Sequence, residues 1–260
     1  MIYRDRADAG HQLTGLLCEQ LPTLRDEDPV VLATFPNGVP VGRALADSLG
    51  APLDVLVARR LGAPGSSDVG IGAVASGGAR VLDAMTIRML GVPDEYIELV
   101  SRAEAAEAER QMHRVRARHV AIPLRGRVVV LTDDGSATRW HAQAAIAAVR
   151  EQGADRLIVA VPLAASDVRD LLAREADAIV CGAVPERSCD VGAHYADSTT
   201  PSAESVRRLL AGDRVSRRPT SRPARSAVKK LGPGPPGTDV IPSLAVPVPS
   251  PLPSSRPTPP

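Results

Sequence analysis

Aromatic side chains are nearly missing from this 260-residue chain, at 2% of its composition: one Phe, one Trp and three Tyr. With 44% hydrophobic content, the core must come almost wholly from Leu, Val, Ala and Ile. Such a core suits helices packed on a parallel sheet, whose strands are buried on both faces and read as aliphatic runs. Lysine is scarcer still. Its only two copies, Lys229 and Lys230, lie near the C-terminus, which excludes a Schiff-base or Walker-type phosphate-loop lysine from the body of the chain. Three cysteines, Cys18, Cys181 and Cys189, form no CxxC pair, so neither a disulfide framework nor a structural zinc site is expected. His113 and His119 are six apart and fall on different faces of a helix, so no metal held directly by His or Cys is expected. No run of about 20 apolar residues marks a membrane span, and no charged start with an apolar run marks a signal peptide. The expected location is cytoplasmic.

What is present divides at residue 213. The segment from 213 to 260 holds thirteen of the 24 prolines and eight Lys/Arg against two Asp. Its low apolar periodicity predicts a disordered tail, set apart from a folded domain over 1–212. The basic stretch 214–230 offers at most weak contact with RNA, acidic partners or a membrane surface, and the nucleic-acid case is weaker because no aromatics are interleaved to stack on bases.

Within 1–212, strand and helix patterns alternate. Helices are expected in "HQLTGLLCEQL", in "VPVGRALADSLG" closed by Gly50, from Asp94 to Arg118, from Thr138, in "SDVRDLLAREA" capped by Ser166, and in "SAESVRRLLAG". Strands are expected at Val30–Thr34, in "LDVLVARR" as one strand, at Ile71–Ala75, Ala79–Leu82, "RVVVLT", "RLIVAVP" and "AIVCG". Alternation of this kind indicates a parallel sheet flanked by helices, with ligands bound beyond the strands' C-terminal ends.

One turn carries chemistry. At the end of "VVVLT" come Asp133, Asp134, Gly135, Ser136, Ala137 and Thr138, and then a helix. Two adjacent carboxylates there suit vicinal sugar hydroxyls or the waters of a magnesium ion, and the following helix N-terminus suits a phosphate. A plain turn with a threonine cap reads equally well.

"VVVLTDDGSAT" resembles the ribose-phosphate signature of the type I phosphoribosyltransferases. "NGVPVGRALADSLGAPLDVLVARRLGAPG" and "DVGIGAVASGG" resemble the N-terminal half of a bacterial branch of that family, so the resemblance runs over residues 8 to 211. It implies a five-stranded parallel sheet with a flexible hood, binding phosphoribosyl pyrophosphate with Mg2+. It also implies transfer of ribose 5-phosphate to a nitrogen acceptor, with release of pyrophosphate; relatives are often homodimers. Asp133 and Asp134 would hold the ribose hydroxyls as an exposed pair, and Gly135, Ser136, Ala137 and Thr138 would wrap the 5-phosphate. Asn37 and Gly38 would belong to the pyrophosphate loop, with Arg59 and Arg60 as charge clamps.

The chain also departs from the family. Arg139, Trp140 and His141 stand where the family has Gly-x-Thr, and Phe35-Pro36-Asn37-Gly38 stands where relatives commonly read Pro-Arg-Gly-Gly. Arg139 and His141 are therefore candidate phosphate ligands by charge and hydrogen bonding. Phe35 and Trp140, the only Phe and Trp, are expected to line or plug the pocket. Two functions remain open: a phosphoribosyltransferase of changed specificity, and a non-catalytic nucleotide or sugar-phosphate binding protein on the same fold. The acceptor is not legible in the late loop from Cys189 to Tyr195.

Overall fold

The computed structural model describes residues 3–117, 119–185 and 191–212. The tail from 213, Cys189 and the residues beside it, and Arg118 lie outside the described residues, as do the expectations placed on them. Five strands form a wholly parallel sheet in the order β2-β1-β6-β7-β8: β1 Val30–Thr34, β2 Leu53–Leu56, β6 Val128–Thr132, β7 Arg156–Leu163 and β8 Ala178–Ala183. A second, antiparallel sheet joins β3 Ala58–Ala63, β4 Ser66–Ala75 and β5 Arg80–Leu82. This is the hood.

The aliphatic runs alternate between two buried faces, as the pleat requires. Val31, Ala33, Val130, Ile158 and Ala160 face one core, covered by α1 Arg6–Gln20 and α2 Gly38–Leu49, with Met112 of α4 Asp94–Arg116 and Val206 of α7 Ala203–Ala211 completing it. Val30, Leu32, Val129, Leu131, Leu157 and Val159 face the other, where α5 Arg139–Glu151 supplies Ala144, Ala145 and Ile146 and α6 Ser166–Glu175 supplies Leu172. Both faces being dry explains why the strands read as continuous Val/Leu/Ile runs rather than as an alternation.

The "LDVLVARR" run breaks in two. Val57 ends the parallel pairing, and the chain turns away into the hood. Ser76, where the chain returns, donates its N–H to the Val57 carbonyl at 2.7 Å, and its hydroxyl accepts from the Val57 N–H at 3.3 Å. These bonds satisfy the backbone at the break and tie β3 and β4 to the edge of the main sheet. β4 begins at Ser66, earlier than expected, and α3 Ala84–Leu90 is an added helix that Asp83 caps by accepting from the Met85 and Thr86 N–H groups. Gly50 closes α2 in the left-handed conformation, as its position predicts. Ser166 is the first residue of α6 rather than its cap; Ala165 holds the cap position and offers no side-chain acceptor.

Candidate functional site

The site follows from the pairing of β1 with β6. Because the two strands are parallel and adjacent, with Ala33 opposite Thr132, the loops that leave their C-terminal ends emerge side by side. One is Phe35–Asn37, which leads into α2; the other is residues 133–138, which leads into α5. Gly38 lets them touch. A Cβ there would lie 2.6 Å from Thr34 Oγ1 and 3.0 Å from both Asp133 Cα and the Thr132 carbonyl oxygen, so only a glycine lets α2 start against the acidic loop.

Asp133 sits at the base of this loop. One carboxylate oxygen accepts from the N–H groups of Gly135 at 2.8 Å and Ala137 at 2.9 Å, and the other takes a short hydrogen bond from the Thr34 hydroxyl. Burial, and then the neighbouring Asp134 charge, raise its pKa from 3.8 to about 7 despite these donors. Asp134 is buried completely. Its carboxylate accepts from Arg6 Nε at 2.9 Å and from the Ser136 N–H at 3.0 Å, and its backbone carbonyl accepts from the Tyr195 hydroxyl at 2.7 Å. The acidic pair is thus not the exposed pair that the sequence suggested. The two residues face different partners, and the loop N–H groups of Gly135, Ser136 and Ala137 close on the two carboxylates.

Beyond the loop, α5 begins without a side-chain cap. Thr138 holds the cap position, but its hydroxyl is paired with His141 Nδ1 at 2.7 Å. The first-turn N–H groups of a helix lack intrahelical acceptors and favour an anion. His141 turns towards the hood, where burial and then Arg60 and Arg59 lower its pKa, so that its ring is neutral at pH 7. It shares with Arg59, Arg60, Tyr96 and Glu104 a cleft of about 590 Å³ between the hood, α4 and the start of α5. Arg59 is paired with Glu104, and Arg60 is exposed and donates to the Asp68 carbonyl at 3.1 Å. A second cleft, of about 270 Å³, runs between Gly135–Arg139 and the Leu163–Ala165 turn, bounded by Asp167 and Val191. Gly135, at φ +97°, packs against Leu163 on that side.

The two rare aromatics do not share one pocket. Phe35 packs on the core under α1 and α2, whereas Trp140 packs on the opposite core, because the loops after adjacent strands feed helices on opposite faces. Arg139 lies 4.5 Å over the Trp140 ring and is exposed, an arrangement that places its charge at the mouth of the turn. Asn37 holds the cap position of α2 without capping it, and its Oδ1 is buried without a partner. Thr34, Arg6 and Tyr195 carry no motif and were not legible beforehand.

Similarity to known proteins agrees with this architecture. A crystal structure of TT1426 from Thermus thermophilus is 35% identical and superposes with a TM-score of 0.69, covering 82% of this chain and 99% of that one. Two proteins of Mycobacterium tuberculosis, from strains CDC 1551 / Oshkosh and ATCC 25618 / H37Rv, are both named provisionally as phosphoribosyl transferases. Each is 38% identical over 209 residues, which is 80% of this chain and 46% of theirs. The chain belongs to the type I phosphoribosyltransferase-like family. It spans about half the length of those mycobacterial members. No family model matches it. The acidic turn stands at the C-terminal end of the central strand β6, and the hood is present as a separate antiparallel sheet.

Magnesium, which the family implies, does not fit as a protein-held ion. Among the described residues no cluster of three His, Cys, Asp or Glu side chains could hold one, and both Asp134 oxygens are taken within the fold. The donors present suit a magnesium that arrives with a polyphosphate ligand and meets the protein through water. Among the same residues no helix is long and apolar enough to cross a membrane.

Proposed function

We propose that this chain binds phosphoribosyl pyrophosphate with its magnesium and transfers ribose 5-phosphate to a nitrogen nucleophile, releasing pyrophosphate. The observation that carries the reading is Asp133, a buried carboxylate at the foot of the β6–α5 loop beside an uncapped helix N-terminus, in a fold whose hood bears Arg59 and Arg60 in one cleft with His141 of that helix. In the transfer, the bond from ribose C1 to the pyrophosphate oxygen breaks, a C1–N bond forms, and the nucleophile gives up its proton. Positive charge develops on the sugar ring and negative charge on the leaving group, so the useful groups are a carboxylate beside the sugar and cations beside the pyrophosphate. Asp133 suits the first role, in its ionised form. Arg59 and Arg60 suit the second, because guanidinium groups donate paired hydrogen bonds to phosphoryl oxygens. His141, neutral at pH 7, donates or accepts one hydrogen bond without adding charge. The first turn of α5 is the candidate seat of the 5-phosphate, and the cleft beside Leu163–Ala165 has room for the acceptor.

A second reading, binding of a nucleotide or sugar phosphate without turnover, draws on one observation. The N–H groups of Gly135, Ser136 and Ala137, which a phosphate would need, are already spent on Asp133 and Asp134. Incubating the protein with phosphoribosyl pyrophosphate, Mg2+ and a panel of nucleobases, and measuring pyrophosphate, separates the two. Base-dependent release supports transfer; saturable binding with no release under any base supports the second reading; absence of both removes the phosphoribosyl substrate.

A further inference from the structure

Two segments far apart in the sequence lie together behind the acidic loop. Tyr3 and Tyr195 form a parallel bridge, with the Tyr3 N–H donating to the His194 carbonyl and the Ala196 N–H to the Tyr3 carbonyl, both at 2.8 Å. The Asp197 N–H donates to the Arg4 carbonyl at 2.8 Å and extends the pairing. The resulting strap runs past the C-terminal ends of β6 and β7. Tyr3 donates its hydroxyl to the Pro162 carbonyl at 2.8 Å, and Tyr195 donates to the Asp134 carbonyl.

Arg6, the first residue of α1, joins the strap to the loop. Its guanidinium donates to Asp134 at 2.9 Å and to the Thr199 carbonyl at 2.9 Å, and lies 5.3 Å from the centre of the Tyr195 ring. Side-chain exposure is 8% for Arg6 and 0% for Asp134, so water screens the pair little. A buried ion pair is a poor way to gain stability, since apolar residues of equal volume usually do as well. What it does supply is a fixed direction and distance for a carboxylate.

We infer that Arg6 is a positioning residue for the sugar-phosphate loop: by fixing Asp134 from behind, the strap sets the position in which the 133–138 turn meets the ligand. The inference rests on the phosphoribosyl reading for the ligand, but not for the loop. Asp134 holds the Ser136 N–H through its other oxygen, between the Gly135 and Ala137 N–H groups that Asp133 holds, so Arg6 fixes the middle of the turn directly and its flanks through the shared backbone. The N-terminal segment and the 191–199 segment thereby become part of the site.

The test uses the full chain with Arg6→Met, Arg6→Lys, and Arg6→Met combined with Asp134→Asn, the last removing both charges so that no buried carboxylate is left unpaired. Hydrogen exchange is followed segment by segment, and phosphoribosyl pyrophosphate affinity is measured in parallel with Mg2+ present. The expected result for Arg6→Met is amide exchange about tenfold faster in the 133–138 turn, with the β1 and β6 cores unchanged. Affinity is expected to fall about tenfold, with Lys recovering most of it and the double variant binding no worse than the single, as for two residues acting through one link. Unchanged loop exchange, a uniform rise across all segments, no recovery by Lys, or independent losses that multiply in the double variant would each overturn the inference. A wild-type protein with no affinity for phosphoribosyl pyrophosphate, but with loop exchange that depends on Arg6, removes the functional reading and keeps the strap.

Discussion

Replacing Asp133 by Asn should make the ligand-free protein more stable at neutral pH while taking away its proposed function. The carboxyl is buried beside Asp134, and its pKa rises from 3.8 to about 7. An acid raised in this way keeps its proton in the folded state where the unfolded chain has already released it. Stability contributed by this group is therefore fully present below about pH 4 and is lost as pH rises towards about 7. At about 1.36 kcal/mol for each tenfold change in proton affinity, the rise from 3.8 to about 7 corresponds to about 4 kcal/mol. An Asn keeps the acceptor for the Gly135 and Ala137 N–H groups and replaces the acceptor for Thr34 by an NH2 donor, so the loop geometry should survive. The measurement is urea unfolding of both proteins at intervals from about pH 4 to about pH 8, read by the fluorescence of Trp140, the only tryptophan. The two proteins differ at Asp133 alone, so the difference between the curves reports this carboxyl together with its repulsion from Asp134. The two should coincide near pH 4 and diverge in favour of Asn by a few kcal/mol near pH 8. Parallel curves, or a wild-type protein that gains on the variant as pH rises, would refute the reasoning. The same substitution should weaken a magnesium-borne sugar phosphate, the trade of stability for function that binding sites commonly show.

Gly38→Ala should cost about 1–3 kcal/mol, because the new methyl meets backbone at Asp133 and Thr132 that cannot yield. Gly15→Ala, in open space on α1, should instead stabilise by about 0.5–1 kcal/mol, so equal denaturation midpoints for the two would count against the packing argument. Arg59→Ala with Arg60→Ala should raise the dissociation constant for pyrophosphate and flatten its dependence on salt, measured by titration at several ionic strengths; an unchanged constant would clear the hood cleft of a binding role. A chain ending after Gly212 should keep its melting temperature and its ligand affinity, since the 213–260 composition lacks the apolar surface to add to the core; a marked drop in either would move the boundary.

The parts of the fold legible in the sequence are those with a local signature. Val30–Thr34, "RVVVLT" and "RLIVAVP" read as strands because burial on both faces leaves no polar positions, and Gly50 marks the end of α2 because the chain there turns left-handed. Other features depend on contacts distant in sequence. Arg6 reaches Asp134 across 128 positions, and nothing near either residue announces the other. For that reason the acidic pair read as exposed, although the strap and Arg6 bury Asp134. The break at Val57 was hidden in the same way, since the residue that stabilises it, Ser76, lies on the far side of the hood hairpin. Phe35 and Trp140 looked like partners because both flank loops expected to hold ligand; only the sheet's two faces separate them. The helix α3 did carry a local signal, Asp83 as cap and Gly91 as terminator, inside a stretch otherwise dominated by glycine-rich turns.

The most direct test of Asp133 as the sugar-binding carboxylate is a calorimetric titration of phosphoribosyl pyrophosphate with Mg2+. It is run into the 260-residue chain and into its Asp133→Asn variant at about pH 8, where Asp133 is ionised. Saturable binding at one site is predicted for the wild type, and its loss for the variant, with the variant folded and at least as stable. No binding by the wild type, or equal binding by both, would contradict that role.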